Sequence, residues 1–279
     1  MFNNREVATI IWLFLLFLWV LSRAEIRSSL PGVVKALLGR QMVLAISSML
    51  AYVAVMVLVF SKLGFWDQSA IKDTVLWVLG GAVVMFFNVN KAAGDEHYFR
   101  KVVSDNLKLV LVLEFLVNVY TFGLLAELVI VPLIALLLML KTFVGLKAEY
   151  KKVDTFLGYV LGIIGLSLLA FAVYQAIVNL QVFANLRTLR DFLLPPVLSI
   201  AFLPFIYGLA LYMTYDGLFR RMDFFNGNDP GLARYAKWKS FTSFHVNLKG
   251  LNEWSKEARG LHFDNRSDVL ALIQRSISR

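Results

Sequence analysis

The chain has 279 residues, of which 59% are hydrophobic and 17% are charged, and its mean hydropathy is +0.68. This composition excludes an ordinary soluble protein and predicts an all-α, polytopic membrane protein. The absence of cysteine excludes disulfides, thiolate metal sites and cysteine nucleophiles. The net charge of +9 is typical of basic residues held at the cytoplasmic face of a membrane.

Seven apolar segments approach or exceed the roughly 20 residues that a helix needs to cross a bilayer. In chain order they are Val7–Ser22, Gln41–Ser61, Thr74–Asn90, Leu107–Phe122, Leu128–Gly145, Thr155–Leu180 and Phe192–Tyr215. The first has no small-residue cleavage site after it, so we expect an uncleaved anchor and not a signal peptide. The sequence therefore predicts a seven-helix transmembrane bundle over residues 1–216 and a small, basic, helical tail over residues 217–279.

The fourth and fifth segments form one apolar stretch from Leu107 to Gly145, about twice the length of one crossing. Gly123 and Glu127 interrupt this stretch and predict a tight helical hairpin. One long, tilted helix is the alternative, and it would invert the orientation of everything that follows.

The charges of the connections predict the orientation of the bundle. Lysine and arginine are concentrated in the first, third and fifth connections: Arg23, Arg27, Lys35, Arg40, Lys91, Arg100, Lys101, Lys147, Lys151 and Lys152. Because such residues stay in the cytoplasm, we expect the N-terminus outside and the C-terminus inside, in a bacterial inner membrane. The first connection, Glu25–Arg40, also has the pattern of a short amphipathic helix on the inner surface.

Polar residues follow one face of the fourth segment. Glu114 lies near its middle, where a charged side chain costs about 2.5 kcal/mol or more. Asn118 and Thr121 share its face, and Lys141 lies on the neighbouring segment. The pattern fits an ion or proton path, or a gate, and equally an interhelical hydrogen-bond site. Lys141 has two readings as well, a stretched ion pair with Glu114 or extension to the inner interface.

Two further features concern packing within the membrane. Gly158, Gly162 and Gly165 in the sixth segment provide the small residues that let helices approach closely, within the bundle or between subunits. Pro204 lies near the centre of the seventh segment and predicts a kink or break. Breaks of this kind form transport sites in some proteins, and they are passive kinks in others.

The tail carries a cationic and aromatic run of Arg234, Tyr235, Lys237, Trp238 and Lys239. Basic residues next to a membrane attract anionic headgroups, and the same run fits a protein partner. Stacking of nucleic-acid bases on its aromatic rings is the less favoured interpretation.

The leading functional hypothesis is a non-enzymatic membrane component that forms oligomers or anchors a larger assembly. In this interpretation the tail and inner loops dock a cytoplasmic partner, and the bundle anchors it or opens a conductive path past Glu114. An ion- or proton-coupled transporter using Glu114 and Pro204 is the second hypothesis. A lipid-modifying enzyme with Asp95, His97 and Asp216 at the inner interface is the third. The sequence predicts no cofactor and no metal site.

Overall fold

The computed structural model describes residues 2–95, 97–105, 115–179, 185–225, 229–258, 263 and 265–277, and this part of the chain is helical without strands. Its α-helices are α1 (Asn4–Ser22), α2 (Ala24–Leu37), α3 (Arg40–Lys62), α4 (Ile71–Trp77), α5 (Val83–Phe87), α6 (Val89–Gly94), α7 (Tyr98–Asp105), α8 (Leu124–Gly145), α9 (Lys151–Val178), α10 (Leu186–Phe225), α11 (Pro230–Phe244), α12 (Leu248–Glu257) and α13 (Arg266–Ile277). A π-helical turn, Val78–Ala82, joins α4 to α5, and residues 115–119 are also helical.

Six of the described helices are long and apolar enough to cross a membrane. They are α1, α3, the combined helix Gln68–Phe87, α8, α9 and α10. This confirms the all-helical membrane class. The fourth predicted segment, Leu107–Phe122, lies largely outside the described residues.

The chain is not helical at residues 120–123, which is where the sequence predicts the hairpin turn. Gly123 precedes α8, and the Glu127 N–H donates to the Gly123 carbonyl at 3.1 Å. An unbroken helix from residue 107 to residue 145 is therefore not formed.

Helix α10 has 40 residues and continues through Pro204, so the kink or break predicted there does not interrupt the helix. The Tyr52 hydroxyl donates to the Ala201 carbonyl at 3.0 Å, in the turn that precedes Pro204. Because proline weakens the backbone hydrogen bonds of that turn, a donor from another helix stabilises it. The predicted start of the tail, at residue 217, falls inside this helix.

The chain forms two compact units. The first comprises Met1–Leu50, Asp67–Lys72 and Leu107–Leu194, and in it α8 packs against both α1 and α9. Buried side chains are few here, and many large apolar side chains are exposed. Such a surface suits a lipid environment, in which exposed apolar residues are not penalised.

The second unit comprises Ala51–Trp66, Asp73–Asn106 and Pro195–Arg279. Along α10, the fully buried residues Leu198, Phe202, Ile206 and Ala210 follow one another at four-residue intervals and so form one stripe. Helices α11, α12 and α13 have a core of their own. It contains Leu232, Ala236, Phe244, Leu251, Trp254, Phe263, Val269 and Ile273.

Candidate functional site

The predicted intramembrane polar residues do not form one described cluster. Glu114 lies outside the described residues. Asn118 contributes its backbone carbonyl, which accepts from the Asn3 side chain at 3.0 Å, and Thr121 lies in the break before α8.

Lys141 binds to α9. Its Nζ donates to Asp154 Oδ1 at 2.6 Å and to the Asp154 carbonyl at 3.2 Å. A Cβ at Gly158 would lie 3.5 Å from Lys141 Nζ, so Gly158 leaves space beside the ammonium group. For Gly162 and Gly165, a Cβ would meet no atom of another described residue within 4 Å. The three glycines therefore have different surroundings.

A charge pair that the sequence analysis did not single out joins α1 to α8. Arg5 Nε and one of its terminal nitrogens donate to the two carboxylate oxygens of Glu127, each at 3.0 Å. The Glu127 side chain is fully buried, and that of Arg5 is 17% exposed. A bidentate, charge-assisted pair of this kind is among the stronger hydrogen-bonded contacts.

Backbone contacts complete the surroundings of this pair. The other terminal nitrogen of Arg5 donates to the Val117 carbonyl at 2.7 Å, and the Phe122 N–H donates to Glu127 at 2.9 Å. Asn4 donates to the Phe122 carbonyl at 2.8 Å. The first turn of α1 therefore binds both sides of the break at residues 120–123.

The start of α1 is itself well defined. Asn3 and Glu6 form a reciprocal capping box, which satisfies two backbone donors. Glu6 also forms an ion pair of 3.0 Å with Lys72. Because these contacts hold the first turn of α1 in place, they also determine the position of Arg5.

A second polar group in the same unit is centred on Arg190, which binds Asp67 and donates to Ser69 Oγ at 2.9 Å. Hydrogen bonds from Ser69 and Arg190 lower the pKa of Asp67 to about 2. Asp67 is exposed, so this contact connects two chain segments at a surface.

In the second unit, an aromatic cluster surrounds the middle of α10. Trp77 Nε1 donates to Ser199 Oγ at 2.9 Å, and the Trp77 ring lies edge-on to Phe202, with centroids 5.6 Å apart. A Cβ at Gly81 would lie only 2.9 Å from Trp77 Nε1. Gly81, in the π-helical turn, is therefore required for the observed position of Trp77.

The tail helices are attached to α10 by hydrogen bonds. The Tyr207 hydroxyl donates to the Val246 carbonyl, and the Tyr215 hydroxyl donates to the His245 carbonyl at 2.9 Å. Further along α10, Arg221 donates to Ser255 Oγ at 2.5 Å. Two tail segments therefore bind the same long helix.

The structure separates the predicted cationic and aromatic run on α11 into distinct environments. Lys237 forms an ion pair of 2.5 Å with Asp223, and the Arg266 guanidinium lies over the Tyr235 ring at 4.9 Å. Lys239 is half-buried, whereas Arg234 and Trp238 are exposed. Because Arg234, Trp238 and Phe241 follow at four- and three-residue intervals, they share one face of α11.

A cavity of about 310 Å³ lies between the end of α6 and helix α12. Its charged lining residues are Asp95, Lys249, Glu253 and Lys256, so neither sign of charge predominates. Of the other residues in the enzyme hypothesis, Asp216 pairs with Arg220 at 2.8 Å, and the His97 N–H donates to Asp95 at 2.9 Å. Among the described residues, no three His, Cys, Asp or Glu side chains form a potential metal site.

No family model, curated protein or solved structure matches this chain.

Proposed function

We propose that this protein is a non-enzymatic integral membrane component that anchors a larger assembly by docking a cytoplasmic protein on its tail. The observation that carries the proposal is the attachment of the tail to α10. A 40-residue helix is about 60 Å long, about twice the thickness of the hydrocarbon core. Its hydrogen bonds to residues 245, 246 and 255 support a tail that is held in a fixed position on α10 and is not a flexible extension.

The docking surface that we propose is the exposed face of α11 with Arg234, Trp238 and Phe241. Trp238 is 66% exposed and Phe241 is 50% exposed. Exposed tryptophan and arginine are the residue types that contribute most often to the energy of protein interfaces. The sequence allows a lipid or a protein as the occupant of this face.

Distance along α10 favours a protein. A crossing of about 20 residues that begins after Asp191 ends near Leu211. Asp223 pairs with Lys237, the residue before Trp238 in sequence. Asp223 lies about 18 Å beyond Leu211 along α10. The headgroup region adds only about 5–8 Å on each side of the hydrocarbon. Trp238 therefore lies in water in this topology, whereas Phe241, whose ring centroid is 5.8 Å from that of Tyr215, lies nearer the headgroups.

The seven-span topology, with the N-terminus outside and the C-terminus inside, is part of the proposal. It is supported by contacts of the first turn of α1 with Lys72 and with Glu127. These contacts bring residues 72 and 127 to the same end of the first unit, so an even number of crossings separates them. The helix Gln68–Phe87 supplies one, and in this proposal the predicted segment Leu107–Phe122 is the other. The basic connections then orient the tail towards the cytoplasm.

The test combines site-specific photocrosslinking with purification of the full-length protein. A photoreactive amino acid replaces Trp238 in one variant and Tyr159, an exposed residue of α9, in the control. We expect crosslinking in native membranes to give one discrete protein adduct at position 238 and none at position 159. Mass spectrometry then identifies the adduct.

Substitutions test whether the same protein is bound through this face. We expect Trp238→Ala to weaken its co-purification by about 30-fold, which corresponds to the roughly 2 kcal/mol of an interface hot spot. Arg234→Glu weakens it as well, whereas Lys249→Glu makes the same change of charge elsewhere on the tail and retains it. Unchanged elution and thermal unfolding of the variants exclude misfolding.

A homo-oligomer without any stoichiometric partner, and no adduct at position 238, would contradict the proposal. The transporter hypothesis then takes precedence, and its test is ion flux in reconstituted vesicles with Glu114→Gln.

A further inference from the structure

Helix α2 has the residue pattern of a helix that lies on a membrane surface. Ile26, Leu30, Val33 and Leu37 follow at the four- and three-residue intervals that place them on one face. No residue of α2 is buried, so this apolar face has no cover within the described protein. Ser28 and Lys35 lie on the opposite face.

The connections of α2 restrict how it can be oriented. Only Arg23 separates it from α1, and only Leu38 and Gly39 separate it from α3. Helix α2 is about 20 Å long, whereas two residues span at most about 7 Å. If α2 extended away from the membrane, this short connection would not return the chain to α3. Because α3 has 23 residues, little more than one crossing needs, α2 must lie along the membrane surface.

The charges near α2 indicate which lipids it contacts. Arg23, Arg27, Lys35 and Arg40 are opposed only by Glu25 in this segment, and all five are exposed. The Arg23 guanidinium lies 4.9 Å from the Trp19 ring at the end of α1. Tryptophan and arginine together are typical of the headgroup region, where the ring lies in the interface and the cation reaches phosphate.

We propose that α2 is an interfacial helix that inserts its apolar face between lipids, and that Arg23 and Arg27 beside this face bind anionic headgroups. The occupant of the exposed apolar face is thus the lipid leaflet itself. This site is separate from the protein-docking face of α11, and it does not depend on the proposed function.

The natural chain has no cysteine, so a single introduced cysteine carries a fluorescent label at one known position. Val33→Cys labels the apolar face, and Ser28→Cys labels a position about 140° away on the same helix. The full-length protein is reconstituted in vesicles of phosphatidylcholine alone, or of phosphatidylcholine mixed with phosphatidylglycerol. We expect a lipid-borne spin label to quench the label at residue 33 and iodide to leave it unquenched. At residue 28 we expect iodide to quench the label and the lipid-borne spin label to leave it unquenched.

Anionic lipid should increase the quenching at residue 33 severalfold over phosphatidylcholine alone. We expect Arg23→Gln together with Arg27→Gln to remove this increase, and Glu25→Gln to preserve it. Equal iodide quenching at residues 28 and 33 would overturn the interfacial helix. Protection of residue 33 from both quenchers would indicate a second copy or a protein partner and would also overturn the proposal. An absence of any lipid dependence would overturn the headgroup contact.

Discussion

At the scale of single residues, Gly81 illustrates how one missing side chain determines a packing arrangement. A Cβ at this position would lie 2.9 Å from Trp77 Nε1 and 3.0 Å from Trp77 Cδ1. We expect Gly81→Ala to displace the Trp77 ring and to disturb its hydrogen bond to Ser199. The free energy of unfolding should fall by about 1–3 kcal/mol, as in other overpacked sites.

Gly80 is the matched control, because a Cβ at this position would have no neighbour within 4 Å among the described residues. Gly80→Ala lies in the same π-helical turn and should leave stability nearly unchanged. Thermal unfolding in mild detergent, followed by tryptophan fluorescence, compares the two variants. Equal stability of both variants would contradict the assigned role of Gly81.

Asp67 provides a pH dependence at the residue scale. Its pKa is lowered to about 2 by hydrogen bonds from Ser69 and Arg190, against 3.8 for an ordinary aspartate. Because the folded state prefers the ionised carboxylate, this group stabilises the protein fully above its unfolded pKa. The stabilisation is lost as the pH falls from about 4 towards about 2.

We therefore expect the unfolding midpoint of the wild-type protein to fall more steeply across this pH range than that of Asp67→Asn. Ser69→Ala removes the largest cause of the lowered pKa and should give an intermediate slope. Parallel pH profiles for the wild-type protein and Asp67→Asn would contradict this role.

At the scale of elements, the pair between Arg5 and Glu127 holds α1 against α8. Arg5→Met leaves a fully buried carboxylate without its cation, and removal of one partner of a buried pair costs about 3–5 kcal/mol. Glu127→Gln in the same chain removes the remaining charge while it keeps an oxygen acceptor for the Phe122 N–H. We expect this double variant to recover most of the lost stability.

A second ion pair of α1, formed by Glu6 with Lys72 of α4, provides a matched comparison. Lys72 pairs with Glu6, and both side chains are more exposed than Glu127, so Lys72→Met should cost only about 1 kcal/mol. Denaturation in detergent measures all the variants. A loss for Arg5→Met no larger than that for Lys72→Met would show that the buried pair does not hold the two helices together.

The sequence predicted the apolar helices well, because each needs an uninterrupted apolar run. It predicted α2 from its amphipathic spacing and the turn from Gly123. It did not predict the length of α10, because the polar residues after Tyr215 lie outside any hydropathy window. Pro204 also suggested an interruption, whereas the hydroxyl of Tyr52 stabilises the helix there. That contact joins residues 149 positions apart in sequence.

The buried pair was missed for a related reason. Arg5 and Glu127 each lie at the edge of an apolar segment, where a single charge ordinarily indicates only the end of a span. Their partnership depends on tertiary packing across 122 positions. Such a pair is indicated when a charged residue begins one span and an oppositely charged residue lies at a predicted turn on the same side of the membrane.

At the scale of the whole molecule, the number of crossings determines which surfaces meet the cytoplasm. In the proposed seven-span topology an even number of crossings separates Lys72 from Glu127, which agrees with the contacts of both residues with the first turn of α1. Six spans in total would leave one crossing between them. We therefore expect Gln68 and Gly123 to be accessible from the same side of the membrane, and Ser104 and Ser243 from the opposite side. A six-span chain would instead place Ser104 and Gly123 together.

Single cysteines in the otherwise cysteine-free chain measure this directly through an impermeant maleimide in intact and permeabilised cells. Gln68, Ser104 and Gly123 are exposed, and a Cβ at Gly123 meets no neighbour within 4 Å, so each position accepts the label. With the N-terminus outside, Gln68→Cys and Gly123→Cys react in intact cells, and Ser104→Cys and Ser243→Cys react only after permeabilisation. If Ser104→Cys and Gly123→Cys react under the same condition, either both in intact cells or both only after permeabilisation, the extra crossing is contradicted. If instead all four positions exchange sides, the count of seven stands and the orientation is reversed, which would remove the tail from the cytoplasm and with it the proposed docking function.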